Sequence, residues 1–301
     1  VNSRNMASIG SIEPLICAVS TYAAIFGLAH VAKWGIDKSF KKASLVHTFL
    51  FEAVTALQMC TCVYENGIII GNYGLPGFFI AVSLLLTTAG FTNRGYFGNP
   101  LGHLEKLFKG HLGLVEFIVI ISGQFIGSAG ALKAASAIWY YTSALSASHL
   151  RATNANLCGF TIHYPLNYVM IIEAIYCGAL RFAIGQFTQT TWRRKYAIPV
   201  LVAAFLSASI YFVGVAGLNP MTAYARMAMC EGLDNIYFFY TYWLAAAAGW
   251  MFGAHIQEGF NAWWTGRLKA KKAASQDKQR EAAKEKKKVE KKVEKKARKQ
   301  D

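Results

Sequence analysis

Charge is what this 301-residue chain lacks: Asp, Glu, Lys and Arg make up 16% of it against 54% hydrophobic residues, whereas soluble domains run nearer a quarter charged. That shortage excludes an ordinary water-soluble domain. Acid is scarcest, 16 Asp and Glu against 31 Lys and Arg, for a formal charge of +15. The excess is local, since residues 267–301 hold 16 Lys and Arg against 6 Asp and Glu and so carry +10, leaving +5 for the preceding 266 residues. A CxxC pair and a His cluster at metal spacing are also missing. The six cysteines, Cys17, Cys60, Cys62, Cys158, Cys177 and Cys230, are scattered through apolar sequence, which signals neither a disulfide framework nor zinc and reads as free, buried thiols. No nucleophile with its base, metal set or phosphate loop stands at useful spacing, so the residues indicate no enzyme, cofactor, metal or nucleic-acid partner.

What the chain has is apolar sequence in lengths of about 20 residues, the span of a bilayer core. Seven stretches qualify, near 14–32, 45–64, 75–92, 112–132, 166–187, 196–216 and 235–256. The expected class is an all-α membrane protein. The first stretch is long for a signal sequence and is followed by Lys33, Lys38, Lys41 and Lys42, which favours an uncleaved span over a leader. A helix lying at the interface is the rival reading.

The last six stretches repeat. Glu52 lies in one span and Asn99-Pro100-Leu101 follows two spans later; Glu173 lies in another and Asn219-Pro220-Met221 follows likewise. The separations are 47 and 46 residues, and Gln124 to Gly130 matches Trp243 to Gly249 at an offset of 119. Two units of three spans, an odd number, imply an inverted repeat. Lys and Arg test this independently, because short cytoplasmic loops collect them. In that topology residues 33–42, Lys106 and Lys109, residues 193–195 and the tail share one side, which makes the tail cytosolic. The loops at 65–74, 152–165 and 213–218 fall on the other. The boundaries drawn are an apolar segment and basic loop over 1–44, a first repeat over 45–140 with a half-helix at 99–109, an inter-repeat loop over 141–165, a second repeat over 166–258 with a half-helix at 219–229, and a basic tail over 259–301.

Asn is a favoured N-cap and Pro a favoured first helical residue, so each Asn-Pro predicts a helix start, and each segment is only about ten residues long before turn signals. Half-length helices at membrane depth imply a pore or binding site, because non-helical backbone there is tolerated only beside a cavity or buried in protein. Two N-terminal dipole ends repel cations and protons, and the Asn amides can donate to the oxygen of a passing water or alcohol. Two capped helices in a closed bundle are the bland alternative. Glu52 and Glu173, at equivalent depth, either relay protons or accept hydrogen bonds from the backbone amides leading into the half-helices, and the latter is the simpler reading. Glu116 has no counterpart in the second half.

These residues together resemble the aquaporin, or major intrinsic protein, family over roughly 45–258, down to Tyr242-Trp243 opening the last span. Residues 47–65 (HTFLFEAVTALQMCTCVYE), with Phe-x-x-Glu and a Cys-x-Cys close behind, Cys230 eleven residues after Asn219, and the extra N-terminal apolar helix resemble its unorthodox superaquaporin branch. The resemblance implies an inverted repeat of two three-helix units with two re-entrant half-helices, a homo-tetramer, residence in the endoplasmic reticulum membrane, and passive passage of water, glycerol or hydrogen peroxide. It departs at Leu101 and Met221, where the family carries Ala, and at Thr222, where orthodox members carry the filter Arg; Arg226 lies one turn further on. By the same matching Phe79, Ser207, Ala216 and Thr222 line the constriction, a set without fixed charge. A sealed pore on the same fold stays open as an alternative. A seven-span receptor is weaker, since Tyr224 sits one residue too far from Asn219 for Asn-Pro-x-x-Tyr. The tail from Lys269 on, with VEKK at 289–292 and 293–296, cannot bury a core and reads as disordered or a solvated helix; attraction to anionic lipid headgroups is its functional reading.

Overall fold

The computed structural model describes residues 12–155, 162–188, 190–215, 217–228, 230 and 233–297, and among them all regular structure is helical. The order is α1 (Glu13–Ser39), α2 (Leu45–Thr92), α3 (Pro100–Phe108), α4 (Leu114–Thr142), α5 (Ala147–Thr153), α6 (Leu166–Phe187), α7 (Ile198–Val213), α8 (Pro220–Met227), α9 (Asn235–Phe239) and α10 (Ala246–Ala297), with π-helical turns at Arg193–Ala197 and Tyr240–Ala245. Among the described residues five helical stretches are long and apolar enough to cross a membrane: α1, α2, α4, α6 and Arg193–Val213. Much of their outer surface is apolar too. On α1 a single stripe is buried, Pro14, Ala18, Tyr22, Ile25, Ala29 and Lys33, while Ile16, Val19, Leu28 and Val31 stay exposed. A helix apolar all round is built for a lipid or protein surround, not for water.

Helix α2 doubles back. Gly74 has φ 65°, ψ −165° inside it and Pro76 follows, a conformation open in practice to glycine alone beside a residue without an N–H to continue the ladder. The proof is Lys33, whose ammonium donates to Gln58 Oε1 at 2.9 Å and to Asn93 Oδ1 at 2.7 Å. In a straight helix those residues would stand about 50 Å apart. The chain therefore reverses at Gly74, and the loop expected over 65–74 shrinks to that residue, with Glu65 and Asn66 buried in helix. The first limb of α2 in turn runs antiparallel to α1, tied by Tyr22 Oη to Asn66 Oδ1 at 2.6 Å near one end and by Asp37 to His47 at 3.0 Å near the other.

Glycines set the closest approaches. A Cβ on Gly123 would lie 2.5 Å from the Phe49 carbonyl oxygen, and Gly127 packs still tighter on Ala53, joining α4 to α2. Gly249 on Ala174 and Gly253 on Gly178 join α10 to α6 in the same manner. Small residues let helix backbones touch where lipid gives no hydrophobic drive to associate. The contacts equate Ala53 with Ala174, 121 residues apart, and Gly127 with Gly249, 122 apart. That corrects the pairing of Gly130 with Gly249 drawn from residue type alone.

The segment expected to be an inter-repeat loop contains α5, capped by Ser146 Oγ accepting from His149 N. Residues from His255 on form a second unit, helical to Ala297. In it Phe260, Trp263 and Trp264 cluster, and the Arg267 guanidinium stands 4.8 Å from the Trp263 ring centre.

Candidate functional site

The two short helices begin with the same backbone device. Gly98 (φ 59°) and Leu218 (φ 57°) occupy the left-handed region, Asn99 and Asn219 follow in extended conformation, and Pro100 and Pro220 open the helices. Each Asn accepts at Oδ1 from the N–H two residues on, Leu101 N and Met221 N, both at 3.0 Å. The cap fixes the carboxamide, so Nδ2 must point away from the helix. Asn219 Nδ2 donates to Gly98 O at 3.2 Å, which brings the two Asn-Pro sites together. That leaves one N–H of Asn219 and both of Asn99 without an acceptor among the described residues, and both asparagines keep part of their surface accessible. Two helix N-termini and three uncommitted amide N–H groups make a place suited to a neutral solute's oxygen.

The third residues of the motifs are fully buried, Leu101 at 1% and Met221 at 0% exposure. Leu101 packs with Cys177, Leu180, Leu218, Ala246 and Trp250, and the Cys60 thiol lies 3.7 Å from the Met221 carbonyl oxygen. Of the constriction candidates, Phe79 packs against the cluster of Phe78, Val82 and Ala203, Ser207 lies on α7 with Ala203, and the Ser207 hydroxyl has no partner among the described residues. Thr222 is one position beyond Met221 and spends its hydroxyl proton on Asn219 O at 3.0 Å. Ala216 lies outside the described residues.

The two carboxylates are engaged differently. Glu173 accepts from the backbone N–H of Leu218, the residue just before Asn219, and from the Cys177 thiol at 3.6 Å. Gly217 lies so close to that carboxylate that a Cβ there would collide with it. Glu52 instead accepts from Gln124 Nε2 at 2.9 Å and faces His103 Nε2 at 3.5 Å. The expectation that it too takes a backbone amide is corrected, because the Gln124 and His103 side chains stand at its oxygens. Glu116 sits exposed in the first turn of α4, where a carboxylate favours the helix dipole.

Several buried polar groups went unnoticed in the sequence. Glu105 of α3 takes a bidentate bond from Arg181 of α6, at 2.6 and 2.7 Å, with Lys109 Nζ at 2.7 Å and Trp250 Nε1 at 2.9 Å. Arg181 was legible as an ionisable residue inside the span 166–187. At another place Glu65 accepts from Trp139 Nε1 at 2.8 Å and meets His149 Nε2 at 3.0 Å, while His149 Nδ1 lies 2.6 Å from Thr142 Oγ1. Cys17, Cys60, Cys62 and Cys177 are free thiols. Cys230 is disulfide-bonded, which corrects the reading of all six as free; spacing could not show it, since a disulfide needs proximity in space, not in sequence.

The helices, and the paired Asn-capped short helices among them, define a multi-helix membrane protein with a polar site inside the bundle. No protein-family model matches the chain. It is 39% identical over 245 residues to the putative aquaporin-10 of Caenorhabditis elegans, covering 81% of this chain and 86% of that protein. It is 22% identical to the aquaporin-11 of Milnesium tardigradum over 80% of this chain and 86% of that one. With the aquaporin-11 of Equus caballus it shares 26% identity over 68% of this chain and 75% of that one. The chain belongs to the aquaporin family, in its aquaporin-11-like kind. It is thus an integral, multi-pass membrane protein and a membrane channel of that family, and the receptor alternative falls.

Proposed function

We propose that the chain conducts water and small uncharged solutes, glycerol and hydrogen peroxide among them, along a path that passes Asn99 and Asn219. In this reading α3 and α8 are re-entrant half-helices of an inverted repeat, and Phe79, Ser207, Ala216 and Thr222 form a constriction without fixed charge. The observation that carries it is the pair of asparagines, capped alike, linked through Gly98, and holding uncommitted N–H donors on accessible surface while Leu101 and Met221 are packed out of reach. Bulky third residues therefore do not argue for a plug. The Lys and Arg distribution supports a cytosolic C-terminus, and disulfide-bonded Cys230 supports an oxidising compartment on the far side. The family resemblance supports a homo-tetramer in the endoplasmic reticulum membrane, with the basic tail drawn to anionic headgroups. Stopped-flow measurement on proteoliposomes, for water, glycerol and peroxide in turn, tests the proposal. Flux above empty vesicles for at least one of them is expected; none would leave a non-conducting structural protein on the same fold. Thr222→Arg is expected to lower glycerol passage more than water passage, and unchanged glycerol passage would overturn the assignment of Thr222.

A further inference from the structure

Beside α8 lies a cavity of about 200 Å3 lined by Tyr64, Gly67, Ile68, Trp139, Ala152 and Arg226. Its walls are apolar, and the two polar atoms they bear are spent: Tyr64 Oη donates to Ala225 O, and Trp139 Nε1 to Glu65. Only Arg226 brings uncommitted donors. Its guanidinium lies 5.7 Å from the Tyr64 ring centre and is largely removed from water, yet no carboxylate among the described residues pairs with it. Arg181 and Arg94 differ, being held by Glu105 and Asp37. Desolvating a guanidinium costs several kcal/mol unless an anion offsets it, and a cation–π contact returns about 1 kcal/mol. The cavity is one negative charge short.

We infer that this cavity binds a small monocarboxylate anion, its two oxygens on the fork of Arg226 and its short alkyl body against Tyr64, Ile68 and Trp139. The charge count selects a monoanion: one guanidinium faces the space and no second cation lines it, so a doubly charged phosphate would exchange one uncompensated charge for another. The planar fork selects a carboxylate over a spherical halide. The walls select a short apolar body, and the volume equals that of about six or seven waters at roughly 30 Å3 each, room for an acid of a few carbons. Gly67 keeps one wall open. A Cβ there would lie 3.9 Å from Arg226 Nη1, an ordinary contact, while any longer side chain enters the space. The site holds whether or not the channel conducts.

The test is thermal unfolding of the purified full-length chain in detergent, followed by tryptophan emission, with sodium propionate titrated against sodium chloride at equal ionic strength. Propionate is expected to raise the midpoint saturably and chloride to leave it unmoved. Gly67→Leu, which fills the space and keeps the charge, should abolish the propionate shift, Gly67→Ala should retain it, and Arg226→Gln should weaken apparent affinity at least tenfold. Gly67→Leu and Gly67→Ala decide the matter even where Arg226→Gln does not fold. An equal shift from chloride, no shift in the wild type, a shift that survives Gly67→Leu, or an unchanged apparent affinity in Arg226→Gln overturns the site. None of these outcomes depends on flux, so they stand apart from the conduction assay.

Discussion

At the start of α3 the chain turns at Gly98, caps at Asn99 and enters the helix through Pro100; at the start of α8, Leu218, Asn219 and Pro220 do the same. Six residues further on the likeness ends. Glu105 ties α3 to α6 and α10 through Arg181 and Trp250, whereas Ala225, six residues after Asn219, offers α8 only a carbonyl to the Tyr64 hydroxyl. The ends that meet at Gly98 are built to one pattern, and the far ends are free to be anchored by whatever the neighbouring helix provides. Charge anchors one helix. On the other a neutral hydroxyl does it, and the nearest charge, Arg226, is left facing a cavity.

The largest effect is expected where that contrast is sharpest. Arg181→Met leaves the Glu105 carboxylate buried without its bidentate partner, a loss of about 3 to 5 kcal/mol for a broken buried pair, whereas Tyr64→Phe removes one neutral hydrogen bond, about 1 kcal/mol. Denaturant unfolding in detergent should rank them so. Adding Glu105→Gln to Arg181→Met should recover much of the loss, because the buried charge goes with its partner. Equal costs for Arg181→Met and Tyr64→Phe would show that the two helices are anchored alike after all.

The carboxylates give the next step down. Glu173 supports the backbone ahead of Asn219 by way of Leu218 N, while Glu52 acts through the Gln124 side chain. Removing the acceptor from a buried donor costs about 1 to 3 kcal/mol, and a side chain can turn to a new partner where a backbone N–H cannot. Glu173→Leu is therefore expected to destabilise more than Glu52→Leu and to speed amide hydrogen exchange at 217–221, with exchange at 97–101 little changed in Glu52→Leu. Matching exchange in the two variants would mean that both acids hold backbone.

How far the sequence reached follows the same division. The helix starts at Asn99 and Asn219 were readable because a cap and its proline are adjacent in the chain, and the apolar spans because their signal is local composition. The reversal between the spans 45–64 and 75–92 was readable too, but not its narrowness: Glu65 and Asn66 continue the helix and the chain turns at Gly74, two residues before Pro76. Glu105 drew no notice inside the short helix expected over 99–109, since Arg181 and Trp250, which hold it, are 76 and 145 residues away. Glu65 and His149, 84 residues apart, were hidden in the same way. Spacing by residue type also set Gly130 against Gly249, whereas the packing of Gly127 on Ala53 and of Gly249 on Ala174, contacts between distant residues, pairs Gly249 with Gly127.

The smallest effect tests the point where the two helices are most alike. Gly98 suits its left-handed φ, but Leu218 holds φ 57° with a side chain, at a cost of about 1 to 2 kcal/mol. Burial offsets it, since Leu218 is 2% exposed and packs with Leu101, Cys177, Leu180 and Trp250. Leu218→Ala discards that packing and keeps the strain; Leu218→Gly discards the packing and relieves it, less the entropy a glycine adds to the unfolded chain. At an ordinary position glycine is the worse of the two, but here Leu218→Gly should be the more stable variant by up to about 1 kcal/mol, read as the higher midpoint in paired unfolding curves. If Leu218→Ala proves more stable instead, the left-handed turn before Asn219 is not imposed by the fold, and the shared geometry of the two Asn-Pro sites stops one residue short.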